Sequence, residues 1–249
     1  MAELSSIEKG IDRRKTALVT GASSGIGKAT AQALAQAGFD VALVARSQVK
    51  LEALASELEA LGGQAKAFVI DLAEVDQIRK NIEGAIAAFG PVDVLVNCAG
   101  MGYTGALGDM PLADWQGIMA LNVTSVFQVV QAVLPGMRDR GVGTIVNIAS
   151  IAAQQSFADW GAYGVSKAAL VALSDAIASE ESAHGIRVVT ISPGAVDTPI
   201  WDSDTVKTTF DRSLMLSPDT VAHTILQTVL MPPDALISHL IITPSKGAL

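Results

Sequence analysis

The sequence of 249 residues holds one cysteine, Cys98, so an internal disulfide is excluded and a reducing compartment is consistent with it. Histidine is nearly as scarce. His184, His223 and His239 are scattered without ligand spacing, and no metal is expected. Charge is sparse as well: Asp, Glu, Lys and Arg form 17% of a chain that is 50% hydrophobic, which argues against disorder. Basic residues are the minority, 17 against 25 acidic ones, for a net charge of −8, so neither nucleic acid nor an anionic membrane is an expected partner. No uninterrupted apolar run approaches the length of a bilayer span, and residues 1–15 contain no apolar core of signal-peptide length. These absences predict a soluble, cytoplasmic protein. Fixed-period repeats and low-complexity linkers are missing too, which leaves residues 1–249 as a single domain with 1–15 as an N-terminal extension.

What is present is an alternation of short β-branched runs with helical patterns. The runs are 16–20, 41–45, 67–70, 92–96, 144–148, 186–191 and 240–242. An alanine-rich helix is predicted from about Lys28 to Ala37, with Gly38 as its C′ residue. Ser47 opens a second, striped by Leu51, Leu54, Leu58 and Leu61 and stopped by Gly62-Gly63. A third carries Val75, Ile78, Ile82, Ile86 and Phe89 and ends at Gly90-Pro91. A long helix from about Leu112 to Arg138 is interrupted in character by Pro135-Gly136, another continues to about Ala183, and Ser217-Pro218 opens a last one that Pro232-Pro233 ends. The runs are almost wholly apolar, as strands buried on both faces are. They predict an α/β single domain: a Rossmann-like, doubly wound parallel sheet of about seven strands with helices on both faces and a ligand crevice at the strands' carboxyl ends.

Two stretches carry chemistry. Tyr163 and Lys167 stand four residues apart, so on a helix they leave one face a turn apart. An ammonium that close favours the phenolate and is expected to pull the tyrosine below its usual value, with the Ser150 hydroxyl sharing the same substrate oxygen. Taken alone, the pair reads more readily as part of an ordinary amphipathic helix. The other stretch, Thr20 to Gly27, places Gly21, Gly25 and Gly27 between the first strand and the first helix, where backbone approaches a ligand closely and a helix N-terminus faces a pyrophosphate. Its Gly-x-x-x-Gly-x-Gly spacing departs from the general Gly-x-Gly-x-x-Gly fingerprint. A turn that merely tightens the strand–helix joint is the alternative.

With that Thr-Gly-x-x-x-Gly-x-Gly form, the sequence resembles the short-chain dehydrogenase/reductase family. The resemblance continues through Asn97-Cys98-Ala99-Gly100, where the family usually has Asn-Asn-Ala-Gly, then Asn122, Ser150, Tyr163 with Lys167, and Pro193-Gly194, in the family's order over about residues 16 to 198. It implies a catalytic set of Asn122, Ser150, Tyr163 and Lys167. It implies a dinucleotide held by Gly21, Ser23, Ser24, Gly25, Ile26, Gly27, Asp71, Leu72, Asn97, Ala99, Gly100, Tyr163, Lys167, Pro193, Gly194, Val196 and Thr198. Asp71 is either an adenine contact or a cap for the following helix, and these are compatible. Thr198 either reaches the nicotinamide amide or, before Pro199, makes a turn. Asn122 either holds a water that links Lys167 to solvent or bends its helix. Cys98 reads as a small buried residue rather than a nucleophile.

An NAD site places an acid after the second strand; here Ala45 is followed by Arg46, which favours a 2′-phosphate and hence NADP, with Ser23 able to add a hydroxyl. A solvated surface arginine is the other reading. The expected reaction is reversible hydride transfer between NADPH and a carbonyl or alcohol, with Tyr163 as acid/base. Tyr103, Gln154, Phe157, Trp160, Trp201, Phe210 and Met215 supply an aromatic and apolar substrate wall, together with Ser150 and Tyr163, or else several of them pack against the protein. Residues 195–216 are expected to form a mobile lid. In length and layout the chain is similar to 3-oxoacyl-carrier-protein reductases. It departs from them in Asp175, Ser179 and Glu181, where basic residues dock the carrier, and in the ending Ile242-Thr243-Pro244-Ser245. A ketone or alcohol oxidoreductase is at least as well supported, and a non-catalytic NADP-binding sensor or scaffold is the reading from another class. The resemblance also implies a homotetramer, or a homodimer, on the long helices and the last strand.

Overall fold

The computed structural model describes residues 13–207 and 210–245. Most of the N-terminal extension, residues 1–12, and two positions of the expected lid, 208 and 209, therefore lie outside the described residues. Seven parallel strands form one sheet in the order β3-β2-β1-β4-β5-β6-β7. They are β1 (Thr16–Thr20), β2 (Asp40–Ala45), β3 (Ala65–Val69), β4 (Val94–Asn97), β5 (Gly143–Ile148), β6 (Ile186–Pro193) and β7 (His239–Ile242). The direction of winding reverses between β1 and β4, which opens a crevice at the carboxyl ends of these two strands.

Strand side chains alternate between two cores. Val19, Leu43, Val96 and Ile191 pack with Leu34 of α1 (Gly25–Gln36), Leu51, Leu54 and Leu58 of α2 (Gln48–Glu59) and Ile225 of α7 (Pro218–Val229). Leu18, Val44, Leu95 and Ile145 pack on the opposite face with Ile78 and Ile82 of α3 (Val75–Phe89), Val129 and Met137 of α5 (Ser125–Arg140), and Leu170 and Ile177 of α6 (Gly161–Glu181). Burial on both faces accounts for the unbroken apolar runs of the central strands. The two edge strands differ. Lys66 and Val69 of β3 and His239 and Ile241 of β7 are exposed, because each edge has one neighbour and thinner cover.

Two expectations are corrected. The first helix begins at Gly25 rather than Lys28, so the glycine turn already contains the first helical residues. The long helix does not break in character at Pro135, which lies inside an unbroken α5. It is divided instead into α4 (Leu112–Met119) and α5 by a π-helical turn, Ala120–Thr124. The cause is Asn122: its buried amide bonds the Met101 backbone and widens the turn to reach it. Leu112–Arg140 also contains a stretch of mean hydropathy 1.6, long and apolar enough by composition to cross a bilayer though interrupted by polar residues, with 50% of it buried. Val126, Val129, Val130 and Val133 make it apolar, and they cover the sheet and α3.

Candidate active site

A cleft of about 1060 Å³ runs across the carboxyl ends of the strands. At one end β1 turns into α1. Gly21 has φ +67°, and a Cβ there would stand 2.8 Å from the Ala99 nitrogen. A Cβ on Gly27 would collide with the Gly21 carbonyl. Ser24, the N-cap of α1, makes no side-chain cap, and no acid occupies the first turn, so the helix offers its N–H groups and positive dipole end to the cleft. Gly21, Ser23, Ser24, Gly25, Ile26 and Gly27 all line it. This cradle fits a pyrophosphate: the helix end faces the cleft with its donors free, and side chains at Gly21 or Gly27 would strike the backbone of Ala99 or Gly21 and break the tight turn that presents them.

Along the floor, Arg46 and Asp71-Leu72 line the cleft after β2 and β3, and Ala99 and Gly100 after β4. Asp71 accepts from the Ala73 nitrogen at 2.9 Å, a turn two residues long, while α3 opens at Val75 with Glu74 at its N-cap. Asp71 therefore does not cap the helix. Asn97 is also corrected: it does not face the cleft. Its buried Nδ2 donates to Asn147 Oδ1 at 2.9 Å, and Asn147 Nδ2 donates to Ser174 Oγ at 2.9 Å, pinning β4, β5 and α6 together. Pro193, Gly194, Val196 and Thr198 line the far wall, where Thr198 also opens the short helical turn Pro199–Asp202.

Ser150, Tyr163 and Lys167 meet on this cleft. β5 ends at Ile148, and Ser150 caps the next short turn, its Oγ accepting from Ala152 N at 3.1 Å. Tyr163 and Lys167 lie one turn apart on α6, with Lys167 Nζ 5.8 Å from the tyrosine ring centroid. Nζ donates to the Ile148 carbonyl at 2.8 Å, so the lysine is held to the strand that delivers Ser150. Asn122 stands behind them, off the cleft surface. Its Oδ1 accepts from Met101 N at 2.8 Å, and its Nδ2 donates to Met101 O at 3.0 Å and Ser166 Oγ at 2.9 Å.

The electrostatics reverse one expectation. Burial raises the Tyr163 phenol above its ordinary value, and the Ser150 hydroxyl works against that rise. Burial also pushes Lys167 down to about 8. The ammonium does not pull the phenol below its usual value, because both groups have lost water and Nζ is turned to a backbone carbonyl. Cys98 is half-buried at the cleft floor, its thiol pushed up to about 12 by desolvation. At neutral pH it is a thiol, not a thiolate nucleophile.

The substrate end is aromatic. Phe157, Trp160, Trp201 and Phe210 line the cleft beside Tyr163. Gln154, Tyr103 and Met215 do not. In the amide orientation that satisfies both ends, Gln154 donates to the carbonyls of Ser150 (3.1 Å) and Ile151 (3.3 Å) and accepts from Ser192 Oγ (3.2 Å), so it fastens the Ser150 turn. The Tyr103 hydroxyl donates to Asp114 at 2.9 Å. The segment expected as a lid is bonded mainly within itself, with one backbone bond to the body at Thr104. Leu216 bonds both Ala195 and Asp197 at 2.9 Å, Thr104 N donates to Thr205 O at 2.9 Å, and Arg212 grips Asp197, Asp202 and the Thr198 carbonyl.

Residues 15–208 match the family model described as short chain dehydrogenase. The chain belongs to that family. Among its short-chain dehydrogenase relatives, a D-threitol dehydrogenase of Mycolicibacterium smegmatis is 37% identical over 84% of this chain and 83% of that one. An L-sorbose reductase of Gluconobacter frateurii, solved with NADPH and L-sorbose, is 30% identical with a TM-score of 0.84 over 93% of this chain and 95% of that one. A metagenomic short-chain oxidoreductase solved with NADP is 34% identical with a TM-score of 0.81, covering 93% and 97%. The chain spans 66%, 20% and 65% of the length of three of the curated relatives it matches.

Family motifs did not point to several lining residues. Ser47 and Lys50 join Arg46 at the cleft's end, and the spacing of Arg46 and Lys50 around the start of α2 was the available signal. Ile151, Ala152 and Ile200 wall the substrate end, where small and apolar residues in loops carry no signal of their own.

Proposed function

We propose that this chain is an NADP(H)-dependent oxidoreductase that interconverts a small hydrophobic carbonyl compound and its secondary alcohol. One observation carries the reading: the Ser150 hydroxyl, the Tyr163 phenol and the Lys167 ammonium stand on the same cleft that the glycine turn and the free end of α1 open into. When bound, the nicotinamide supplies or takes up the hydride. Tyr163 donates its proton to the carbonyl oxygen in reduction and recovers it in oxidation. Its raised value keeps it protonated at neutral pH, which suits the acid role. Ser150 hydrogen-bonds the same oxygen as charge develops on it. Lys167, near 8, exchanges a proton close to working pH, and its family role is to bind the nicotinamide ribose. Asn122 positions this group by locking α6 to the Met101 loop, and it is the family's candidate for holding a water near Lys167.

Arg46, Ser47 and Lys50, with no carboxylate at the end of β2, support a 2′-phosphate and so NADP over NAD. Relatives solved with NADP and NADPH support the same choice. The apolar walls support a hydrophobic carbonyl. A homotetramer or homodimer is our reading of assembly, supported by exposed Phe127 and Val165 on α5 and α6 and Ile241 at the β7 edge. Cytoplasmic residence fits the single free cysteine.

The test is nicotinamide oxidation with a panel of ketones and an acyl thioester, each with NADPH and NADH. We expect turnover of ketones with NADPH, and Tyr163→Phe should abolish it while NADPH still binds. NADPH binding without turnover of any carbonyl would support a sensor instead.

A further inference from the structure

We infer that the preferred substrate is an aryl ketone, and that polyhydroxylated ketones are poor substrates; this rests on the reductase reading above and sharpens it. The argument comes from what the cleft beside Tyr163 offers and from what it withholds.

What it offers is a run of perpendicular aromatic rings. Trp160 precedes Tyr163 by three residues, and their rings meet edge to face at 5.3 Å. Trp160 then meets Trp201 at 5.6 Å and 67°, across the seam between the body of the protein and the 195–216 segment. Trp201 meets Phe210 at 5.1 Å and 79°. The run begins at the proton donor itself, so a flat ring attached to the reacting carbonyl continues the same geometry. Trp201 is held in place through Nε1, which donates to the Val196 carbonyl at 2.7 Å. Arg212 fixes the loop that carries it, through Asp197, Asp202 and the Thr198 carbonyl.

What it withholds is hydrogen bonding. A polyol chain needs a partner for each hydroxyl that leaves water. Around the substrate end most of the side-chain partners are already engaged. The Trp201 N–H is on Val196. Gln154 is turned to Ser150, Ile151 and Ser192. Ser203 Oγ donates to Ile200 O at 2.8 Å, Thr205 Oγ1 donates to Gly102 O at 2.7 Å, and Thr104 Oγ1 accepts from Lys207 N at 2.6 Å. The Asp197 and Asp202 carboxylates are on Arg212. Ser150 and Tyr163 remain for the reacting oxygen, and beyond them the Trp160 N–H and the exposed Asp159 and Lys207 side chains are unengaged among the described residues, fewer groups than the several hydroxyls of a polyol chain require. Asp159 and Lys207 also line the cleft, but both are exposed and opposite in sign, so they add no net preference for a charged substrate. Each additional hydroxyl carried into this end without a partner costs about tenfold or more in binding.

The experiment compares kcat/KM with NADPH for a phenyl alkyl ketone, a cyclohexyl alkyl ketone, a short dialkyl ketone and L-sorbose. We expect the phenyl ketone to exceed the short dialkyl ketone by about tenfold and L-sorbose by about a hundredfold or more. In Trp201→Ala the phenyl-to-dialkyl ratio should fall about tenfold, while Trp201→Phe, which keeps a ring and packs as a conservative variant, should retain most of the ratio. L-sorbose turned over as well as the phenyl ketone, or a ratio that does not move in Trp201→Ala, would overturn the substrate class and leave the reductase reading standing. A cyclohexyl ketone preferred over the phenyl one would show that bulk rather than flatness is read, and would also overturn it. Silence with every carbonyl would sink both readings together.

Discussion

Replacing Lys167 with methionine should make the nucleotide-free protein more stable while removing its activity. Lys167 is 5% exposed, and burial brings it from 10.5 to about 8. A depressed lysine means that the unfolded chain binds more protons than the folded one between these two values. Stability of the wild type therefore rises with pH across that window. Below about pH 8 the full cost of burying the charge is present, about 3 kcal/mol from the size of the shift. Methionine has similar length and no charge, so it removes that cost. It also leaves the Ile148 carbonyl without the 2.8 Å bond from Nζ, a loss of about 1 kcal/mol. The net gain at about pH 7 is then about 2 kcal/mol, or about 4–8 °C in Tm for a chain of this size. At about pH 9.5 the wild-type penalty has shrunk to about 1 kcal/mol, and the two proteins should unfold nearly together. Thermal or urea unfolding of both proteins at the two pH values, without nucleotide, reads this directly. A Lys167→Met protein less stable at neutral pH, or a gap that does not close as pH rises, would refute the claim that the lysine is held against its solvation.

Arg46→Asp places a carboxylate where a 2′-phosphate is expected, and the kcat/KM ratio of NADPH to NADH should drop by about 10- to 100-fold; an unchanged ratio removes Arg46 from the nucleotide site. Arg212→Ala frees three acceptors on the segment carrying Thr198 and Trp201, so KM for the carbonyl should rise several-fold with kcat less affected. Because Arg212 is half-exposed and its two carboxylate partners face solvent, Tm should hardly move, and a large drop would mean that the residue is structural. Gly27→Ala drives a methyl into the Gly21 carbonyl, which should cost about 1–3 kcal/mol in stability and weaken NADPH binding at least tenfold, as calorimetry on the folded fraction would report.

The strands were legible because each central one is an apolar run closed by a glycine, a cap or a charge, and burial on both faces leaves little room for other residues. The site was legible where chemistry depends on backbone or helical spacing: the glycine turn, Tyr163 with Lys167, and Arg46 after β2. It was not legible where a side chain had a choice of direction. Gln154, Tyr103 and Met215 sit in the right segments, yet Gln154 turns to Ser192 and Tyr103 to Asp114, and no local pattern encodes those partners. Asn97 belongs to a familiar motif, but Asn147 and Ser174, distant in sequence, claim its amide. Pro135 looks like the helix breaker, while the actual widening at Ala120–Thr124 follows from a loop that Asn122 reaches in space. The direction of the Tyr163 shift was missed for a related reason: spacing reports the neighbouring cation but not the desolvation of both groups.

The packing of α1 against α7 has a consequence for how the molecule is made. A growing chain that has reached residue 216 already contains Ser150, Tyr163, Lys167 and the glycine turn, yet Leu34 of α1 still lacks Ile225 and its neighbours as cover. β6 likewise waits for β7 as its outer neighbour. α1 rests on β1, β2 and α2 as soon as these are made, but the cover that α7 gives it arrives only after every residue of the candidate site has been synthesised.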